Sequence, residues 1–496
     1  RGDHSEGFHT YASGGYSHVE GHYTSASGYG SHAEGDTTQA KASGSHAEGK
    51  TTIASGDYSH TEGYFTSASG YYSHAEGEKT VAFYTASHAE GYETTASSNY
   101  AHAEGYLSKV LTSTGDYIGS DNAFTSDYSH AEGFDTLVMA EASQFRNIVA
   151  AHTEGFRTKA TANAAHAEGV RSLAEGSGSH AEGYLATASG PWSHAEGEFA
   201  LASNTGSHAE GWNTWASSSY SHAEGWGTWA AHTASHAEGY ETTASAKYSH
   251  TEGVNTLVTE EGIGAHAEGF ETSASNRYAH AEGYQTTASN FASHAEGDLS
   301  HAAGAYSHAE GFGAWASGRY SHAEGLSTTA SGYAAHAEGL GVGAFGDYSH
   351  AEGHVTTASG AWSHAEGTGS RATAPYSHAE GEKTFTRSTG SHAEGSGSRV
   401  DRSADYSHAE GIGPTIGGPT FGAHAEGFNN NIGRFSDYAH AEGRQNDIKQ
   451  GSPQAHVEGY GNQLYDSPGT HVAGYDNHFT ESEYSYVAGF PRTFLI

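Results

Sequence analysis

The feature that most constrains the fold is a tetrapeptide, His-x-Glu-Gly, which occurs 31 times in the 496 residues. Most of its successive spacings are equal, as from His46 to His60 and on to His74, and they define a 14-residue repeat. A repeat this short cannot bury a face alone and must stack on its neighbours. The periodicity therefore predicts an elongated rod in which each repeat forms one turn, rather than a set of globular domains.

The composition fits a very thin interior filled by small side chains. Gly (69 residues) and Tyr (32 residues) are abundant together with Ala, Ser and Thr, whereas Leu, Ile, Val and Phe are sparse. Few aliphatic residues are typical of disordered chains. The strict period and an aromatic content of 12% argue against disorder here.

The consensus repeat is Ser-His-Ala-Glu-Gly-x-x-Thr-x-Ala-Ser-Gly-x-Tyr, as in residues 59–72. Its two alternating runs, each bounded by glycine, predict two short strands and two tight turns. A helix with this pattern would carry a glycine every turn or two, at about 1 kcal/mol each. The strand interpretation is therefore favoured.

Alternation also predicts which side chains face outward. Tyr58, His60 and Glu62 share one face, while Thr61 and, from the second strand, Ala68 face the interior. We expect the glycine after each motif Glu to occupy a corner that needs a positive φ.

The repeat pattern, which covers nearly the whole chain, resembles the 14-residue head repeats of trimeric autotransporter adhesins. It is also similar to the Ser-His-Ala-Glu-Gly repeats of phage-tail and bacterial surface fibres. The resemblance implies an all-β fold, a left-handed parallel β-roll or β-solenoid with about one turn per 14-residue repeat, assembled as a homotrimer around a common axis. Adhesin repeats usually carry aliphatic residues where this chain has His74 and Glu76, and residues 485–489 return toward that apolar form.

The motif His and Glu residues are the first candidate site. Stacking would align the glutamates about 4.8 Å apart, where they repel one another. Histidines of the same chain, or of another chain across a trimer axis, can donate charge-assisted hydrogen bonds of roughly 1.5–3 kcal/mol to them. We predict a structural ladder that sets register and partner, and we expect Glu to raise the pKa of His. The residues that represent the ladder are His32, Glu34, His46, Glu48, His60, Glu62, His74, Glu76, His208, Glu210, His222 and Glu224.

Metal binding and catalysis are the alternatives for the same residues. Three symmetry-related histidines can surround an ion on a threefold axis, but the regular Glu acceptors make an ion unnecessary. Identical pairs repeated 31 times do not single out one pocket. We therefore predict no metal, no other cofactor and no enzymatic activity.

Four indoles on consecutive turns form a second candidate site, for stacking against carbohydrate: Trp212, Trp215, Trp226 and Trp229. The alternative is an aromatic ladder that stiffens the rod, because the residue after the motif glycine is aromatic in many turns. Both interpretations remain open from the sequence.

Changes in spacing predict two sections of roll. Residues 1–391 carry the 14-residue repeat, with insertions near 134–151 and 254–265 that we interpret as bulges or loops. In the section 392–496 the chain changes to 16-residue and then 15-residue repeats, which predicts a wider coil. A degenerate turn that lacks His and Glu is expected at 116–119.

The charge and the missing residue types exclude several classes of function. The formal net charge is −37, but 31 of the 58 acids are motif glutamates. The sequence has no basic stripe of the kind that indicates nucleic-acid binding. No segment approaches the roughly 18 apolar residues of a membrane span. Cysteine is absent, so disulfides are excluded. The chain opens inside a motif, which indicates a processed protein or a segment of a longer one.

The sequence thus predicts a structural and adhesive fibre, extracellular or on a virion, that attaches to a cell-surface carbohydrate or protein receptor. A filament subunit that polymerises end to end is the alternative. A polysaccharide-degrading tailspike is less favoured, because a 14-residue coil is too slim to form the acidic groove that such an enzyme needs.

Overall fold

The computed structural model describes residues 2–111, 125–139, 147–489 and 493–495. This part of the chain is an all-β parallel solenoid of about 33 turns, with one turn per 14-residue repeat over most of its length and no helix. The predicted fold class is confirmed. Two compact units, Arg1–Val254 and Asn255–Ile496, are described separately.

Each turn supplies two strands of unequal length. The longer strand begins at the motif His in nearly every turn, and these strands form what we call the His-Glu sheet. The shorter strand in most turns ends at or next to a buried Ala, and these strands form what we call the Ala sheet. The corners between the sheets contain the glycine-rich part of the repeat.

In the first unit the His-Glu sheet consists of His4–Phe8, His18–His22, His32–Asp36, His46–Lys50, His60–Tyr64, His74–Glu78, His88–Tyr92, His102–Tyr106, His130–Phe134, His152–Phe156, His166–Val170, His180–Tyr184, His194–Glu198, His208–Trp212, His222–Trp226, His236–Tyr240 and His250–Val254. Its Ala sheet consists of Tyr11–Ala12, Ser25–Ala26, Gln39–Ala40, Ile53–Ala54, Ser67–Ala68, Val81–Ala82, Thr95–Ala96, Lys109–Leu111, Leu137–Met139, Lys159–Ala160, Leu173–Ala174, Thr187–Ala188, Leu201–Ala202, Trp215–Ala216, Trp229–Ala230 and Thr243–Ala244.

In the second unit the His-Glu sheet consists of His266–Phe270, His280–Tyr284, His294–Asp298, His308–Phe312, His322–Leu326, His336–Leu340, His350–His354, His364–Thr368, His378–Glu382, His392–Ser396, His408–Ile412, His424–Phe428, His440–Arg444, His456–Tyr460, His471–Tyr475 and Tyr486–Gly489. Its Ala sheet consists of Leu257–Val258, Ser273–Ala274, Thr287–Ala288, His301–Ala302, Trp315–Ala316, Thr329–Ala330, Gly343–Ala344, Thr357–Ala358, Arg371–Ala372, Phe385–Thr386, Arg399–Val400, Thr415–Ile416, Asn431–Ile432, Asp447–Ile448, Gln463–Tyr465, His478–Thr480 and Thr493–Leu495.

Neighbouring strands pair in parallel with equivalent residues opposite each other. His208 pairs with His222, and Glu210 pairs with Glu224. The register survives the irregular spacings, because the strand that starts at His102 pairs directly with the one that starts at His130. The degenerate turn expected at 116–119 lies outside the described residues. In the described part of the chain, the His-Glu sheet has no strand between those two.

The described residues of the two predicted insertions include strands of the Ala sheet, Leu137–Met139 and Leu257–Val258. Part of the 134–151 insertion, residues 140–146, is outside the described residues, and the strands on its two sides also pair in register. Next to it, Thr125–Asp127 pairs with Asn147–Val149 as a separate two-stranded sheet. Within 254–265 the extra residues lengthen one corner, where Gly262 N–H donates to the Thr259 carbonyl at 2.9 Å.

The interior is lined by small side chains from both sheets. Thr61 and Ala68 are fully buried, as alternation predicts, whereas Tyr58 is 60% exposed. Tyr58 nevertheless lies outside the strand, in a corner where its φ is +58°. Sequence alternation therefore identified its outward direction correctly but not its backbone conformation.

The motif glycine lies close to the backbone of the next turn. At Gly211 φ is +115°, and a Cβ built there would lie 2.0 Å from the carbonyl oxygen of Gly225. No side chain fits in that space, and an L-residue also avoids this conformation. The predicted positive φ is confirmed, but Gly211 lies within the strand His208–Trp212 rather than in a corner.

We expect Gly211→Ala to open the turns around it, because the added methyl group has to displace the backbone of the next turn. The loss should be about 3 kcal/mol or more, in the range of severe substitutions. Hydrogen exchange measured by mass spectrometry should show increased exchange at the strands that start at His208 and His222. Gly30→Asn is the matched control, because a Cβ at Gly30 meets nothing within 4 Å and Asn tolerates a positive φ. Equal exchange in the two variants would contradict the prediction.

The 16-residue turns have a different interior. The position that is Ala330 in a 14-residue turn becomes Ile416, Ile432 and Ile448, all fully buried. These larger buried side chains lie in the turns that have the longer repeat. That this section forms a wider coil stays a prediction.

A buried polar column changes in the same turns. In the 14-residue turns the hydroxyl of Thr66 is buried and has no hydrogen-bond partner among the described residues. In the 16-residue turns Asn446 occupies the equivalent position. The Nδ2 of Asn446 donates to the Glu442 carbonyl at 2.6 Å and the Gly459 carbonyl at 3.0 Å. The Asn446 backbone N–H donates to Oδ1 of Asn430 at 2.8 Å, so the amides form a ladder between turns.

Exchanging the two core types should destabilise either section. Ile432→Ala leaves a cavity and should cost about 2–5 kcal/mol. Ala330→Ile overfills a narrow turn and should cost about 1–3 kcal/mol. Urea denaturation followed by local hydrogen exchange measures both. Full tolerance of Ala330→Ile would show that the two sections share one cross-section.

Candidate functional sites: the histidine column and the tryptophan pairs

The motif histidines form a stacked column on the outer side of the His-Glu sheet. In the first unit the centroids of successive rings lie 4.6–4.9 Å apart, and most pairs are nearly parallel. In the second unit the separations are 4.5–4.9 Å. The rings are therefore held by stacking on one another, which the sequence argument did not include.

Each Glu approaches the His of its own turn. The distance from Nε2 to the nearer carboxylate oxygen is 3.7 Å for His32, 3.8 Å for His46 and His74, and 3.5 Å for His208 and His222. Their partners are Glu34, Glu48, Glu76, Glu210 and Glu224.

Most of these contacts are longer than a hydrogen bond. Hydrogen-bond distances of 2.9, 3.4 and 3.3 Å occur at His18, His180 and His194. His60 and Glu62 do not reach the 4.0 Å of an ion pair among the described residues. Half-exposed contacts of this length contribute little, about 0–1 kcal/mol each. Whether another chain completes the predicted ladder stays a prediction.

The ring nitrogen that faces the carboxylate is enclosed. Nε2 of His46, for example, is buried and has no hydrogen-bond partner among the described residues. A carboxylate 3.8 Å away favours the tautomer that carries its proton on Nε2. The opposite nitrogen, Nδ1, is then an acceptor.

Where the pKa of a column histidine is shifted it is lowered, so the expected net increase from Glu is wrong for those residues. Burial, together with the neighbouring His102 and His74, lowers the pKa of His88 to about 4. The pKa values of His236 and His392 fall to about 4 for the same two reasons. Adjacent Glu residues oppose the shift at His236 but do not reverse it. Histidines with these lowered pKa values are neutral at neutral pH, so they do not compensate the Glu charges beside them.

Stability should therefore fall in mild acid. A histidine whose folded pKa lies below its ordinary 6.5 contributes stability that is fully present above about pH 6.5 and is lost as the pH falls toward 4. We expect the melting temperature to drop between about pH 7 and pH 4.5. Replacing His88 and His236 with Gln should reduce that drop, whereas His354→Gln, an exposed histidine outside the column, should not. A melting temperature that rises on acidification would contradict the lowered pKa values.

Groups such as His46, Glu48 and His60 bring three potential metal ligands within 4.8 Å of one another. The two rings are 4.7 Å apart and nearly parallel, so their nitrogens point the same way rather than toward one ion. Zinc–nitrogen bonds of about 2.0–2.1 Å would require at least one ring to leave the stack. The arrangement is that of a stacked column, not of a formed metal centre.

The four predicted tryptophans form two different pairs. Trp212 and Trp226 lie in the His-Glu sheet and stack with centroids 4.5 Å apart and planes at 9°. Tyr240 continues the stack at 4.4 Å from Trp226. Their ring faces are thus largely covered by each other, as in the aromatic-ladder alternative. The same occurs at Tyr92 and Tyr106, which are 4.9 Å apart.

Trp215 and Trp229 lie in the Ala sheet and remain open. Their centroids are 6.1 Å apart and their planes meet at 69°, so neither ring covers the other by stacking. Each side chain is 44% exposed. The carbohydrate-stacking hypothesis therefore applies to this pair, and the four indoles do not form one platform.

Two residues next to these tryptophans were not predicted from the sequence to belong to the site. Asn213 and Gly227 occupy the corner before each of these indoles and line a recess beside them. The sequence signal for this recess is Gly227. It is a glycine at a corner position where the turns on either side carry larger side chains, Asn213 and Glu241.

No protein-family model matches this chain, and a search of curated proteins finds no significant match. Within the described ranges, no helix has the length and apolar character needed to cross a membrane.

Proposed function

We propose that the chain is a structural and adhesive fibre protein that acts outside the cell or on a virion and assembles as a homotrimer. The observation that carries the proposal is the outer face of the His-Glu sheet. It combines a column of carboxylates with half-exposed imidazole rings, as at His208 and His222. A face of this kind is best completed by other copies of the same chain.

The energetics of the Glu column support this arrangement. Glu210 and Glu224 occupy paired strand positions, and their charges repel by about 1 kcal/mol even in water. The imidazoles of His208 and His222, 3.5 Å from these carboxylates, form no hydrogen bond that would offset that repulsion. Donors from another copy would, because charge-assisted hydrogen bonds are about twice as strong as neutral ones. The resemblance to adhesin head repeats implies that the number of copies is three.

Exposed aromatic residues support an adhesive rather than purely structural role. Trp215, Trp229 and Trp315 lie on the Ala sheet and are 44–49% exposed. Large exposed aromatic side chains are typical of surfaces that bind partners. The Ala sheet is therefore the proposed binding side, and the His-Glu sheet the proposed assembly side.

The particle mass in solution tests the assembly. We expect light scattering to give a multiple of three times the chain mass of 51.7 kDa, and electron microscopy to show discrete rods of one length. Indefinite fibres with an axial repeat would instead favour a filament subunit that polymerises end to end. A monomer would overturn both.

Charge-reversal substitutions on one sheet should distinguish the proposed assembly side from the proposed binding side. Glu210→Lys, Glu224→Lys and Glu238→Lys together should lower the mass to that of a monomer, because cations would replace the acceptors of the ladder. Thr187→Lys, Leu201→Lys and Thr243→Lys form the matched control on the Ala sheet, where Lys159 already occupies the equivalent position. If only the control set dissociates the particle, the assignment of faces is wrong.

A further inference from the structure

Two adjoining recesses open on the Ala sheet of the first unit. One, of about 280 Å³, lies between Phe199 and Trp215. The other, of about 210 Å³, is lined by Asn213, Trp215, Gly227, Thr228, Trp229 and Thr243. Both volumes are below the roughly 300–1,000 Å³ of most small-molecule sites. Each recess therefore suits one small ring rather than a large ligand.

The second recess exists because Gly227 interrupts a column of corner side chains. The neighbouring turns carry Phe199, Asn213 and Glu241 at this position, all with φ between 52° and 58°. Gly227 has the same left-handed conformation, with φ +66°. A Cβ built on Gly227 would lie 3.4 Å from Cγ of Glu241. The missing side chain leaves a gap between Asn213 and Glu241, with the two indoles beside it.

Hydrogen bonds fix the orientation of both indoles. Trp215 Nε1 donates to Oδ1 of Asn213 at 3.3 Å, and Trp229 Nε1 donates to Oγ of Ser217 at 3.1 Å. With these polar atoms bonded, what the rings offer a ligand is their apolar surface. A rigid, exposed aromatic surface loses little entropy when it binds.

The chemistry of the lining selects a neutral, hydroxylated ring. Aromatic faces carry partial negative charge and attract the positive edge of C–H groups. The amide of Asn213 and the hydroxyl of Thr243 can pair with ligand hydroxyls. Among the described residues no cationic side chain lines either recess, and Glu241 stands beside the gap, so an anion is disfavoured. A pyranose ring has the required C–H face and peripheral hydroxyls.

We propose that Trp215, Trp229, Asn213 and the gap at Gly227 bind a pyranose ring of a neutral surface polysaccharide. This inference rests on the proposed adhesive function and names its ligand class. The stacked pair Trp212 and Trp226 takes no part in it, because those ring faces are covered.

The test measures binding of three hexasaccharides, cellohexaose, maltohexaose and chitohexaose, to the full chain by isothermal titration calorimetry, with choline chloride as a cationic probe. We expect saturable binding of at least one hexasaccharide. Trp215→Thr combined with Trp229→Thr should weaken it about tenfold or more. Thr is the residue of neighbouring turns at this position, as in Thr187 and Thr243, so the fold should tolerate it.

A second variant fills the recess and keeps both indoles. Gly227→Asn places in the gap the residue that the preceding turn carries, and binding should weaken several-fold. Gly397→Asn is its control, since that corner has φ +68° and no tryptophan follows it. Trp192→Tyr is the control for removing an exposed indole, since Trp192 is 71% exposed and outside the recesses. Both controls should bind as the unchanged chain does.

Three results would overturn the site: no hexasaccharide binds, the Trp and Gly227 variants bind as well as their controls, or choline alone binds. The particle mass of the same samples separates this failure from that of the fibre proposal. A trimer that binds no sugar refutes only the site. A monomer that binds sugar through Trp215 and Trp229 refutes only the trimeric fibre.

Discussion

The structure depends on one constraint. In a parallel, in-register solenoid, each residue lies opposite the residue at the equivalent position of the next turn, one strand spacing away. A residue type is stable in such a column only if it tolerates its own repetition at about 4.8 Å. Glycine does so at Gly211 and Gly225, where the backbones are too close for any side chain. Alanine fills the interior without gaps, and imidazole and phenol rings stack. Glutamate is the exception, because repetition of a charge is unfavourable, and that exception is why the His-Glu face requires a functional explanation.

The sequence predicted the features that follow from periodicity. One turn per repeat, the inward direction of Thr61 and Ala68, and the positive φ of the motif glycine all depend on spacing and steric volume, which can be read from one repeat. The left-handed conformation of Tyr58 was not predicted, because many residue types occupy that position and none of them indicates a positive φ. Spacing alone did not predict that the strands at His102 and His130 pair directly, and the turn expected at 116–119 lies outside the described residues.

The candidate site was predicted less well than the fold, because its properties depend on neighbours in adjacent turns. From one repeat, Glu62 is the obvious partner of His60 and should raise its pKa. In the structure the rings of His46 and His74 lie on the two sides of His60, and burial together with the adjacent His74 lowers the pKa instead. The tryptophans show the same limit. Trp212 and Trp215 are close neighbours in the sequence, yet they belong to different sheets, and only one of them keeps an open ring face.

The direct pairing of strands across irregular spacings has an evolutionary consequence. The strand at His130 pairs in register both with the strand at His102 and with the strand at His152, although the two intervening segments differ in length. Duplication or deletion of whole repeats in the gene would therefore leave every remaining column aligned. Recombination between such similar coding units should produce alleles that differ in the number of turns while each remains able to fold. The corners, where extra residues are absorbed, would be where sequence novelty accumulates.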